Sequence, residues 1–146
     1  MPYYDPLYGE WNPPPIVEAL IHTPLMARLR RITQSVLPNE LIPDGPIPSR
    51  FQHCMGAAYL ATRVVEENPH LPEDIKTLLP VAAVLHDAGN PPFSHLSEPF
   101  LQEVWNRNGE TFLASVLHDR VGREAKRILE GAGISLSRRC RAIAGM

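Results

Sequence analysis

Proline constrains this chain more than any other residue type. There are 16 in 146 residues, about twice the usual share of ~5%, and they are spread along most of the length. Each removes a backbone donor and restricts the residue before it, so together they break the chain into short segments. Residues 1–15, with DPLYGEW followed by Pro13-Pro14-Pro15, read as an irregular or short-strand opening. Residues 16–36 read as helix, interrupted near Thr23-Pro24. Pro38, Pro43, Pro46 and Pro48 make 37–49 a loop.

Beyond that loop the apolar spacing is helical. In 50–67, His53, Ala57, Leu60 and Val64 recur as one stripe, which predicts that His53 faces the interior. Pro69 and Pro72 end that helix, and Pro72-Glu73-Asp74 opens the next. There Ile75, Leu78, Leu79, Ala82 and His86 share a face, with a kink expected at Pro80, so His86 is also expected on the buried side. After the Asn90-Pro91-Pro92 turn, helices are predicted from Glu98 to Asn106 and from Thr111 to about Gly131. The expected fold is all-α, one domain over 1–146, with an N-terminal segment at 1–15 and a helical core from 16 onward.

Composition narrows the function classes. An apolar share of 44% and a charged share of 21% suit a soluble globular chain. A formal net charge of −2 argues against a general nucleic-acid-binding surface. A phosphate site would therefore be local, built from arginines or a metal. Lys76 and Lys126 are the only lysines; the arginine bias permits phosphate recognition and equally fits a GC-rich genome. Cys54 and Cys140 belong to no CxxC or Cys/His cluster and read as reduced thiols in a cytoplasmic protein. No signal peptide or membrane-spanning run is expected.

The chemistry concentrates in VLHDAGNPPFSH. His86 and Asp87 offer an imidazole and a carboxylate, a pairing suited to a divalent metal with open positions. The bland alternative is a satisfied core histidine beside an aspartate near a helix end. Adjacent helical residues point about 100° apart, so both reach one ion only near a helix end or with help from another element. His53 offers that help, and both readings stay open on the residues alone.

DPLYGEW, HTPLMARLRRITQ, SRFQHCMGAAYLA and VLHDAGNPPFSHLSE occur in that order, and the set resembles the HD-domain deoxynucleoside triphosphate triphosphohydrolases. The likeness runs through about residues 5–130. The GNPPF-H-x-x-E form is similar to the bacterial dGTPase branch, whereas RLRRITQ and SRFQH are similar to the broader dNTPase branch. The resemblance implies an HD-domain helical bundle, incomplete at its C-terminus, and a metal held by His53, His86 and Asp87. It implies one or two ions of Mn, Mg, Fe, Ni or Zn. It further implies His95 as a catalytic acid/base paired with Glu98, and His118 as another catalytic histidine. Arg50 corresponds to a phosphate contact, its bland alternative being an exposed residue at a helix start. Gln34 corresponds to a sugar contact.

The family's fourth ligand, a later aspartate, has no clear match: Asp119 is the one aspartate after Asp87, and it reads as a helix-surface acid. Two functions follow. One is a phosphohydrolase that splits a deoxynucleoside triphosphate into deoxynucleoside and triphosphate, with a homo-oligomer possible. The other is a truncated or degenerate HD module that binds metal or nucleotide without efficient turnover.

Overall fold

The computed structural model describes residues 1–34, 47–90, 98–106 and 109–134. The chain opens with an antiparallel hairpin of β1 (Tyr3–Asp5) and β2 (Gly9–Trp11), paired Tyr3 to Trp11, Tyr4 to Glu10 and Asp5 to Gly9. Asp5 builds the turn: its Oδ1 accepts the amides of Leu7 (2.8 Å) and Tyr8 (3.1 Å), the local bonding that suits aspartate to turns. Strand alternation sends Asp5 and Trp11 inward and leaves Tyr4 and Glu10 exposed. The opening segment is thus the short-strand alternative, and the rest of the described chain is helical.

Helix α1 (Pro15–Ile21) starts with proline in its first position, where no amide is needed. It buries Val17, Leu20 and Ile21. The expected break follows: Thr23 is extended and wholly buried, its hydroxyl donates to the Leu20 carbonyl at 2.7 Å, and Pro24 restarts the chain as α2 (Pro24–Ala27). A single 3₁₀ turn, Arg28–Arg31, completes this region.

Helix does not continue to residue 36. At Ile32 the backbone becomes extended, Thr33 bridges to Ser49, and the Ile32 carbonyl accepts the Arg50 amide at 2.7 Å. That bond satisfies a donor the next helix would otherwise leave unpaired. Residues 35 and 36, like most of the predicted loop, lie outside the described residues.

Helix α3 (Arg50–Glu67) has the predicted bounds. Ser49 and Gln52 close a reciprocal cap: the Ser49 hydroxyl accepts the Gln52 amide and the Gln52 side chain accepts the Ser49 amide. Its buried face is not the predicted one. Arg50, Phe51, Cys54, Met55, Ala58 and Ala61 are buried, while Leu60 and Val64 are about half exposed. Both stripes obey helical spacing; the one carrying Phe51 and Met55 removes more apolar surface from water and takes the core.

Helix α4 (Glu73–Leu85) packs more extensively on α3 than any other two elements pack together. Pro80 lies inside it, and Val81, Ala82, Val84 and Leu85 are buried. Ile75 and His86, predicted on the inner face, are exposed. Helix α5 (Glu98–Trp105) follows.

The single helix predicted from Thr111 is two, α6 (Gly109–His118) and α7 (Arg123–Gly131). The chain turns between them, and Gly122 makes the turn possible. A Cβ there would lie 2.2 Å from the Val116 carbonyl oxygen. Leu117, Ala125 and Leu129 then join the core shared with α1, α3 and α4.

Gly122 has φ −91°, which any residue adopts, so the demand for glycine is steric. Gly122→Ala is expected to destabilise the fold by about 1–3 kcal/mol, the usual cost of overpacking. Urea unfolding followed by circular dichroism measures this; an unchanged midpoint would mean the α6–α7 turn is looser than described.

Candidate metal centre

The site is assembled where the first turn of α3 meets the end of α4. His86 is the residue that ends α4, and its Nδ1 lies 2.7 Å from the Ala83 carbonyl. A carbonyl only accepts, so Nδ1 carries the proton and, in the neutral ring, Nε2 presents a lone pair. That Nε2 lies 3.1 Å from Nε2 of His53. Two donors about 2.1 Å from one ion stand about 3.0–3.4 Å apart in octahedral or tetrahedral geometry, so the spacing fits a shared ion.

Asp87 completes the group. Its oxygens lie 3.6 Å from His86 Nε2 and 3.9 Å from His53 Nε2, and one ligand atom from each of the three residues falls within 4.8 Å of the others. Among the described residues this is the one such group of three or more. The two imidazoles are partly open, with side-chain exposures of 41% and 37%, whereas Asp87 is buried. A rim of nitrogens over a buried carboxylate leaves positions for water or phosphate oxygens. Partial burial and the neighbouring His86 hold the His53 pKa below its ordinary value, which favours the neutral imidazole a metal requires.

Asp87 is tightly held. Arg50 Nη1 donates to Oδ2 at 2.6 Å in an ion pair buried on both sides. Asn90 Nδ2 donates to Oδ1 at 2.8 Å. Arg50 is therefore not the exposed helix-start residue of the bland reading: it points inward and compensates the buried carboxylate. Arg28 reaches the same turn, donating to the carbonyls of Ala88 and Asn90. Neither Arg28 nor Asn90 is among the expected site residues; RLRRIT and HDAGN contain them, but only the fold brings them together.

The other expected residues are distributed as follows. Gln34 lines a cleft of about 440 Å³ together with His53, Leu60 and the hairpin tip, and its Oε1 is buried without a hydrogen-bond partner among the described residues. His118 is exposed at the end of α6, its ring bonded to the Ala114 carbonyl at 2.8 Å, and it is not in the three-residue group. Asp119 is exposed in the following turn. His95 lies outside the described residues, and Glu98 is described only as the first residue of α5.

Helix α6 leans on the site turn through Gly89, where a Cβ would lie 2.5 Å from Leu113 Cβ. Beneath the rim, the Cys54 thiol is fully buried, and burial, reinforced by the charge of Asp87, pushes its pKa up to about 12.

A helical scaffold bringing two imidazoles and a carboxylate to one open rim defines a class of helical proteins with a mixed nitrogen–oxygen metal centre. An HD domain family model matches residues 50–145, and the chain belongs to the HD-domain family. It is 30% identical over 145 residues to deoxynucleoside triphosphate triphosphohydrolase SAMHD1 of Gallus gallus, covering 92% of this chain and 24% of that protein. It is 35% identical over 100 residues to the SAMHD1 of Xenopus laevis, covering 64% of this chain and 16% of that one. An uncharacterised protein of Methanocaldococcus jannaschii is 37% identical over 82 residues, which are 55% of this chain and 17% of that protein. The chain thus spans a quarter or less of the length of these three relatives.

Two outcomes follow from the geometry. Arg50→Ala, which strands the buried Asp87 carboxylate, is expected to cost about 3–5 kcal/mol, read as a lowered denaturation midpoint. A loss below about 1 kcal/mol would mean the pair is solvated. In the native protein at pH 8, the Cys54 peptide should resist iodoacetamide by mass spectrometry and react once the chain is denatured. Because the folded thiol titrates above its ordinary value of 9.0, the folded state holds its proton more tightly. That contribution is fully present below about pH 9 and declines as pH rises toward 12.

Proposed function

We propose that the chain is a metal-dependent phosphohydrolase that splits a deoxynucleoside triphosphate into deoxynucleoside and triphosphate. The observation that carries the reading is the convergence of His53, His86 and Asp87 on an open rim, within a chain of the HD-domain family. The similarity to proteins named deoxynucleoside triphosphate triphosphohydrolase supports the substrate class.

His53 and His86 would hold the ion through Nε2 and Asp87 through its carboxylate. A divalent ion bound there, of Mn, Mg, Fe, Ni or Zn, supplies Lewis acidity toward a phosphate oxygen and a lowered pKa for water. Water attacks the α-phosphorus, the bond to the sugar 5′ oxygen breaks, and that oxygen leaves with a proton as the deoxynucleoside. His95, oriented by Glu98, is proposed to move the proton, and His118 to brace the phosphates. Arg50 adds positive charge from behind Asp87 toward the triphosphate. The Oε1 of Gln34, in the cleft beside His53 and without a hydrogen-bond partner among the described residues, is suited to accept a hydrogen bond from a sugar hydroxyl. No described helix is long and apolar enough to cross a membrane; a cytoplasmic location and a homo-oligomer complete the proposal.

The test is to incubate the purified chain with each dNTP and Mn²⁺ or Mg²⁺ in H₂¹⁸O and separate the products by ion exchange. Deoxynucleoside and triphosphate are expected, with the label in triphosphate. Asp87→Ala should abolish both turnover and metal binding. Pyrophosphate or single phosphate as product would mean that a phosphoanhydride bond breaks in place of the bond to the sugar oxygen. Metal binding without any product would favour the non-catalytic HD module.

A further inference from the structure

We propose that Arg28 is a positioning residue for the metal centre: from the end of α2 it fixes the Ala88–Asn90 turn, and through that turn the carboxylate of Asp87. This rests on the reading of His53, His86 and Asp87 as metal ligands.

The turn after α4 has a mechanical problem. Asp87 stands beyond the regular helix, where carbonyls run out of intrahelical partners. The backbone closes two short bonds of its own, from the Ala88 amide to the Leu85 carbonyl and from the Asn90 amide to the Asp87 carbonyl. Arg28 Nη2 donates to the carbonyls of both Ala88 and Asn90, at 2.5 and 3.1 Å. Arg28 lies 60 residues before Ala88, so the tie is between distant parts of the fold.

From there the constraint reaches the ligand in one step. Asn90, whose carbonyl Arg28 holds, is buried and donates its side-chain amide to Asp87 Oδ1. Arg50 secures the other oxygen from α3. The carboxylate is therefore located by two arginines of different elements, one directly and one through the backbone. A planar guanidinium suits a pair of carbonyls better than a single ammonium does.

Arg28 is also distinct within its own run. Arg30 and Arg31 are exposed, whereas Arg28 is half-buried, and desolvation and the nearby Arg50 lower its pKa. The fold thus brings a second cation toward the site against both solvation and repulsion, and the Ala88 and Asn90 carbonyls are what receive it.

The experiment uses the full chain with Arg28→Gln, Arg28→Lys and, as a packing control on α7, Leu129→Ala. Mn²⁺ affinity is read by electron paramagnetic resonance of the free ion, and amide hydrogen exchange is followed without metal. Arg28→Gln is expected to weaken Mn²⁺ binding about 10–100-fold and to speed exchange at Ala88 and Asn90, with unchanged far-ultraviolet circular dichroism. Arg28→Lys should fall between it and the parent, and Leu129→Ala should lower stability while leaving Mn²⁺ affinity in place.

Parental affinity in Arg28→Gln, or an equal loss in Leu129→Ala, overturns the proposal. If Arg28→Gln does not fold, Arg28→Lys decides: parental affinity and exchange overturn the proposal, and a several-fold loss supports it. If the parent binds no Mn²⁺, the ligand reading itself fails, and the exchange data separately report whether Arg28 orders the turn.

Discussion

The buried ion pair between Arg50 and Asp87 is the constraint on which the rest of the site depends. It joins the first residue of α3 to the residue just past the end of α4, with both charges removed from water. An ion pair in such a place is a weak device for stability alone, since apolar residues of similar volume often do as well. What it secures here is a carboxylate directly beneath two imidazoles. The pair of described helices that packs most extensively is thereby locked at the end where the candidate ligands stand.

Around that pair, α3 serves two purposes on adjoining faces. Phe51, Cys54, Met55, Ala58 and Ala61 go to the core. His53, Gly56, Ala57 and Leu60 turn toward the cleft. The N-terminal hairpin closes the far side: Tyr8 stacks on Tyr59 with centroids 4.6 Å apart, and Trp11 meets Tyr59 edge-on at 5.5 Å. Tyr3 contacts Phe51 in the same edge-on manner. The aromatic residues of the opening segment thus bind it to the helix that carries His53, and Asp5, buried in its own turn, shapes the hairpin tip that lines the cleft.

Much of this was readable from the chain itself, because proline and apolar spacing act locally. The break at Thr23-Pro24, the bounds of α3 and the opening of α4 after Pro72 follow from the dihedral limits of proline and from helix starts. The choice of buried face did not follow, since two stripes on α3 have the same period and only three-dimensional packing selects the bulkier one. His53 and His86 were accordingly expected inside and stand at the rim. The end of helix at Arg31 depends on a bridge to Ser49, and the division of α6 from α7 on a close approach at Gly122; neither leaves a periodic signal. At the site, the dipeptide and His53 were legible from motif and spacing. The surroundings of Asp87 were less so: Arg50 and Arg28 reach its turn from other elements, and Asn90 bonds it across a local turn that leaves no periodic signal.

The unequal openness of the three candidate ligands has a thermodynamic consequence. Asp87 is fixed by Arg50 and Asn90, and His86 is pinned through its second ring nitrogen to the Ala83 carbonyl. Both have already given up their rotational freedom when the chain folds. His53, on a helix flank with 41% of its side chain in solvent, retains more of its own. The ordering entropy of capturing an ion therefore falls mainly on one imidazole, a fraction of what three free side chains would lose. Folding has prepaid the rest.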